Sequence, residues 1–286
     1  MHDQRSKVLS HTVTAVEGSM KIRDYLKFRL GFSSSLIGKV KYGGVFVNGE
    51  NVHMRAIVQN GDGITVYYPE EDSENVLPMA IPLTVLYEDS DILLVDKPQD
   101  MPIHPSRGNH LPTLANAVRH YMGESFVFRA VTRLDRDTSG VVLIAKNQRA
   151  CAVLSREMTE KGMEKIYHAR VLGVPAETEG EIFAPIARER EDSIRRTVRP
   201  DGKESLTRYR VLSVDDSGNA LCEVRPITGR THQIRVHMAY IGHPLVNDFL
   251  YGTSPNGALY SLRCVSLTFT HPETKKRMTV TCEDGI

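Results

Sequence analysis

Between Val131 and Lys146 the chain reads V-T-R-L-D-R-D-T-S-G-V-V-L-I-A-K, a charged loop running straight into an apolar, partly β-branched run. Val141 to Ala145 predicts a buried strand. Arg133, Asp135, Arg136 and Asp137 stand at its entrance. Carboxylates beside a core are costly unless they are paired or hydrogen-bonded. A carboxylate placed there between two arginines therefore points to a built site rather than to surface decoration.

Other strand-like runs surround this one: Ile92 to Val95, Ile166 to Val171, Tyr209 to Val214, Leu221 to Val224 and Val265 to Phe269. Helical spacing is confined to Thr113 to Tyr121, Ala150 to Lys161 and Thr231 to Tyr240. Frequent strands with scattered helices predict an α+β domain with a mainly antiparallel, mixed sheet. It spans 80–286.

The N-terminal part differs. A strand over Val8 to Val16 precedes a helix over Met20 to Leu30, and a second helix, capped by Ser33 or Ser34, runs to about Tyr42. V-F-V-N-G-E then predicts a strand entering an Asn48-Gly49 turn, and Ile64 to Tyr68 a last strand. These elements predict a small α/β module over 1–68. Glu70, Glu71, Asp72 and Glu74 mark 69–79 as a solvated acidic linker.

Composition excludes several classes. The formal net charge is +1, so no global polycation announces nucleic acid. Basic residues gather locally between Arg188 and Arg210, as a solvated hairpin of mixed charge or as a phosphate-tracking arm. The four cysteines lie far apart without a C-x-x-C pair, and His232 and His237 have poor spacing for ligands on one helix face, so no metal is expected. No phosphate-cradling glycine fingerprint indicates a nucleotide cofactor, and no cofactor is expected. No apolar run approaches a membrane span and no signal peptide is visible, which predicts a cytoplasmic protein, expected to be monomeric.

The string R-L-D-R-D-T-S-G resembles the H-R-L-D-x-x-T-S-G signature of the RluA-type pseudouridine synthases. Further blocks match that family in order: Y-E-D-S-D-I-L-L-V-D-K-P-Q-D-M-P-I-H-P-S (Tyr87 to Ser106), E-K-I-Y-H-A-R-V-L-G (Glu164 to Gly173), T-G-R-T-H-Q-I-R-V-H-M-A-Y-I-G-H-P-L-V-N-D-F-L-Y-G (Thr228 to Gly252), and F-T-H-P from Phe269. The two helices followed by V-x-V-N-G look like the RNA-binding module first described in a ribosomal small-subunit protein. The resemblance implies a synthase that isomerises uridine in RNA, large-subunit ribosomal RNA first and transfer RNA as the alternative, with a flipped-out target base.

It implies Asp135 as nucleophile, with Asp137 as its rival or as a cap of the following turn. Tyr167 stacks on the uracil and is a candidate base, although a phenol of pKa about 10 serves poorly unless shifted. Arg235, on a helix capped by Thr231, pairs with the aspartate. Arg133, Arg136, Lys165, Arg230, His232 and Gln233 are the expected RNA-binding residues. Two positions depart from the family: Thr132 stands where it has His, expected to affect RNA contacts, and Asn247 where it has Gly in P-L-V-G-D. An RNA-binding or RNA-folding protein without turnover is the rival reading. A carboxylate glycosidase is remote, because the sequence has no Trp and no obvious carboxylate pair for such chemistry.

Overall fold

The computed structural model describes residues 6–14, 16, 18–30, 32, 34–69, 76–105, 112–123, 125–160, 162–252 and 259–285. Ser33, Ser106 and the acidic residues Glu70, Glu71, Asp72 and Glu74 lie outside them.

The first unit holds β1 (Ser6–Thr12), β2 (Met20–Lys21), α1 (Ile22–Phe28), α2 (Ser34–Val40), β3 (Val45–Val47), β4 (Glu50–Asn51), β5 (Ile57–Val58) and β6 (Gly63–Pro69). Four strands form a sheet in the order β1-β6-β3-β4, and β2 pairs with β5. Both helices bury the apolar positions that their spacing singled out, among them Ile22, Tyr25, Leu26, Leu36, Ile37 and Val40. The turn between β3 and β4 has two residues at positive φ, Asn48 (50°) and Gly49 (86°). That conformation matches the twist of a tight hairpin, and Asn-Gly accepts it readily.

The second unit has a separate core and comprises β7 (Thr84–Glu88), β8 (Ile92–Lys97), α3 (Leu114–Met122), β9 (Ser139–Ala145), α4 (Gln148–Thr159), β10 (Glu164–Val171), β11 (Glu179–Phe183), β12 (Ile186–Arg188), β13 (Arg196–Val198), β14 (Leu206–Val214), β15 (Ala220–Pro226), α5 (Gln233–Tyr240), β16 (Leu262–Thr270) and β17 (Arg277–Thr281). A nine-stranded sheet runs β11-β14-β15-β10-β16-β9-β8-β7, with β17 also on β16. Only β16 and β9 pair in parallel among the described residues. The molecule is therefore α+β with a mainly antiparallel mixed sheet, as the strand frequency predicted.

Every residue of β9 is buried, so both its faces are covered, which explains an apolar run without alternation. Gly140 is fixed by contact: it holds φ 111°, and a Cβ there would lie 2.2 Å from the Cys264 carbonyl oxygen on β16. No other residue allows the two strands to approach so closely. Thr113 caps α3 in a box with Asn116, and Asn147 caps α4.

The expected linker differs from the structure at its end. Leu77 accepts a hydrogen bond from Asn116 Nδ2 at 2.6 Å, Val76 accepts one from Arg119, and Met79 donates to the Asn116 carbonyl at 3.2 Å. Residues 76–79 are thus laid onto α3, because Asn116 and Arg119 on the helix supply partners for their backbone.

Candidate active site

The loop before β9 folds back on its own strand. Val131 and Thr132 donate to the Leu143 carbonyl at 2.8 and 3.3 Å, and the Thr132 hydroxyl accepts the Leu143 N–H at 2.9 Å. Thr132 is buried, so it pins the loop and is not exposed for the RNA contact expected of it. The chain then turns, with Thr138 donating to the Asp135 carbonyl at 3.2 Å, and presents Asp135 half-buried at a cleft.

Lys97, at the end of β8, is wholly buried and donates to the carbonyls of Pro98, Met101 and Arg136 at 2.7, 2.9 and 2.8 Å. It clamps the residue next to Asp135 to the turn after β8. Burial lowers its pKa to about 8 against the opposing pull of Asp137 and Asp135.

The cleft encloses about 700 Å³, within the range of small-molecule sites. Asp135, Tyr167, Arg235, Arg133, Lys165, Arg230, His232 and Gln233 all line it. The loop before β9, strand β10, and α5 with the loop leading into it thus bring eight of the nine expected site residues together, spread over about a hundred residues of sequence. Arg136 is the exception. Its guanidinium turns to Asp137 (2.8 Å) and Asp100 (3.5 Å), where it finds carboxylates at hydrogen-bond range. The same pair corrects the role of Asp137, whose carboxylate takes the Arg136 side chain instead of capping the turn.

Tyr167 is buried on β10, with Ala169 and Val171 on its face. β10 has a bulge against β16 between Ile166 and Tyr167, and Lys165 and Tyr167 on either side of it both line the cleft. Burial, then the fields of Cys264 and Asp135, push its phenol well above the usual range. A phenol so shifted keeps its proton near neutral pH, which opposes the expected base role, and its ring lines the cleft. Lys165 is held low by burial.

Arg235 departs most from expectation. Nε and Nη2 both donate to Asp248, each at 2.8 Å, in a fork buried with it. Its planar face lies on Tyr260 (4.1 Å) and Tyr251 (4.9 Å). The expected pair with Asp135 is not formed. Asp248 is fully buried and needs a cation, whereas Asp135 is partly solvated, so the fork goes where desolvation is greatest. Burial is the largest influence and opposes the charge on Arg235, but the Asp248 hydrogen bonds and the fields of Tyr260, Asp248 and Asp135 together raise its pKa. Asp135 contributes there as a field only.

The nearest cationic partner of Asp135 is conditional: His232 Nε2 stands 4.0 Å from its Oδ2. Burial lowers the pKa of His232, partly offset by Asp135, which leaves the ring neutral at neutral pH. His232, not Thr231, precedes the first turn of α5, at φ 58° and without a side-chain cap. Gln233 explains the shift. Its Oε1 accepts from Thr228 Oγ1 and the Arg230 N–H, while Nε2 donates to the Leu206 carbonyl and Thr207 Oγ1. All its polar capacity closes the loop, so Gln233 builds the wall and has none left for RNA. Arg230 is exposed at the rim, bonded to the Glu204 carbonyl at 3.1 Å. Arg133 is exposed at the mouth.

Asn247 keeps the turn that the family builds with Gly: it holds φ 65°, which Asn tolerates better than other side chains. Of the basic run, Arg199 pairs with Asp201, Arg208 with Glu181 and Arg210 with Glu223, whereas Arg195 and Arg196 lie against Tyr251. With Arg195 also 3.7 Å from Glu189, half of that run is salt-bridged on the surface.

One group of potential metal ligands occurs among the described residues, Asp89, Asp91 and His271. Its atoms are taken up by hydrogen bonds. Asp89 accepts from His271, Tyr87 and two backbone N–H groups, and His271 Nδ1 accepts from Glu273 and Thr274. The group ties the turn before β8 to the end of β16.

A family model for RNA pseudouridylate synthases matches residues 91–240. An RNA pseudouridine synthase of Bacillus subtilis, YjbO, itself uncharacterized, is 39% identical over 266 residues, covering 91% of this chain and 93% of its own. The ribosomal large subunit pseudouridine synthase D of Xanthomonas campestris is 36% identical over 260 residues, 84% of this chain and 78% of its own. Among solved structures, human RNA pseudouridylate synthase domain containing 1 superposes with a TM-score of 0.62 at 27% identity, over 72% of this chain and 85% of its own.

Proposed function

The chain belongs to the RluA-type family of RNA pseudouridine synthases, and from that membership we propose that it converts uridine to pseudouridine in large-subunit ribosomal RNA with Asp135 as the nucleophile. The enzyme is an isomerase acting on RNA. The N-glycosidic bond of uridine breaks and a carbon–carbon bond to the same base forms. One proton leaves that carbon and one is gained by the freed nitrogen, so no redox partner or group donor enters the balance.

The observation that carries the reading is Asp135 itself, a partly solvated carboxylate facing a cleft walled by buried Tyr167. A carboxylate so placed can attack an electron-poor centre and leave again. The target base leaves its helix or loop to enter the cleft. Tyr167 offers a ring for it to stack on, and Arg133 and Arg230 hold RNA at the mouth. The unit over 1–68 serves as an RNA-binding module, joined by the linker to the catalytic unit over 80–286. The large-subunit target is supported by relatives of that name and by this module.

Mapping pseudouridines in a strain lacking the gene against its parent tests the proposal. The expected result is loss of pseudouridine at one or more large-subunit positions, restored by the wild-type gene and not by Asp135→Asn. Loss confined to transfer RNA would replace the target. An unchanged map would overturn the proposal.

A further inference from the structure

Tyr251 sits where two parts of the molecule meet. Its hydroxyl oxygen accepts the backbone N–H of Arg196, the first residue of β13, at 2.9 Å. The same hydroxyl lies 2.7 Å from Nδ1 of His232. With the Arg196 N–H on one lone pair, the O–H proton is free to point at Nδ1. Donation there leaves the single imidazole proton on Nε2. Nε2 faces Asp135 Oδ2 across 4.0 Å of the cleft, about one ångström beyond a hydrogen bond.

The backbone supports the same reading. His232 holds φ 58° and its side chain caps nothing in α5. A left-handed non-glycine residue is uncommon and carries a cost, and such residues gather where a side chain must be aimed. Here the aim is into the cleft. The Tyr251 ring meets the imidazole edge to face at 5.7 Å and fixes its plane.

We propose that Tyr251 is a positioning residue for the reaction: it holds His232 with the proton on Nε2, and His232 then orients the Asp135 carboxylate. Because Tyr251 is tied to β13, hydrogen bonds run from the arginine-bearing β12–β13 hairpin to His232, which ends 4.0 Å from the nucleophile. Neither Tyr251 nor His232 breaks a bond in this scheme. The inference rests on Asp135 being the nucleophile.

The test is a cycle of three variants of the full chain, Tyr251→Phe, His232→Asn and the double, turned over on an unmodified large-subunit ribosomal RNA transcript. Phe keeps the ring on Arg235 and deletes only the hydroxyl. Asn suits the left-handed backbone and keeps a polar atom near Tyr251, but is too short to reach Asp135. Tyr251→Phe should lower kcat about tenfold with KM within about twofold. His232→Asn should lower kcat at least as much. The double should match His232→Asn alone, because Tyr251 acts only through His232. An unchanged kcat in either single variant, a change confined to KM, or additive losses in the double would overturn the relay. If Tyr251→Phe fails to fold, the kcat of His232→Asn decides alone. Failure of wild-type turnover would instead strike the functional reading, which separates the two.

Discussion

Lys97 ties the loop that carries Asp135 to the turn after β8. Its ammonium is the shared donor for three carbonyls, one of them on the residue after Asp135. Lys97→Met should destabilise the chain by roughly 1–3 kcal/mol, the cost of leaving buried acceptors unpaired less the relief of burying no charge. The folded pKa, about 8, lies below the ordinary 10.5. Below pH 8 both folded and unfolded states hold the proton and the full burial cost is present. Between 8 and 10.5 the unfolded chain holds more protons, so this group's contribution improves as pH rises. Urea unfolding at pH 7 and pH 9.5 should therefore show a wider gap between wild type and Lys97→Met at the higher pH. A gap that narrows would contradict this. That Asp135 and Tyr167 share a cleft was legible in the sequence because each sits inside a motif. Lys97, Asp248 and Tyr251 lie inside quoted blocks too, yet no periodicity marks a residue whose partners come from distant loops.

The elements explain which expectations held. β9 was readable because a strand buried on both faces leaves an unbroken apolar run, and α3 and α4 because they alternate at helical spacing. The start of α5 was not readable, because it is set by the side chain of Gln233 bonding a loop five residues back rather than by a cap. The Arg235 partner was missed for a similar reason: Asp248 lies 13 residues on, in a loop whose approach to α5 is a tertiary event. The fork joins that loop to the helix. Asp248→Ala leaves a buried guanidinium unpaired and should cost about 3–5 kcal/mol in denaturant unfolding. Arg235→Lys keeps the charge but loses the two-donor plane and its stacking on Tyr260, so it should be less stable than wild type and recover only part of the activity. Wild-type stability in Asp248→Ala would show that the fork is not a structural pair.

Across the whole molecule, two hydrophobic cores stand apart, one in each unit. Arg156 on α4 bridges them by donating to the Lys27 and Phe28 carbonyls at the end of α1, at 2.6 and 3.4 Å. Such polar contacts are lost without exposing a core. Removing 1–75 should leave a folded catalytic unit that binds long RNA more weakly, checked by thermal unfolding and by RNA binding across salt concentrations. Unfolding of the remainder would show that the units share a core. The central claim is that Asp135 drives isomerisation of uridine, and tritium release from RNA labelled at the base carbon that forms the new bond reads it directly. Wild type should release tritium as pseudouridine appears. Asp135→Asn should release none while binding RNA within about tenfold of wild type, because binding rests mainly on phosphate and base contacts. Release by Asp135→Asn at the wild-type rate, or none from wild type on any RNA, would contradict the account.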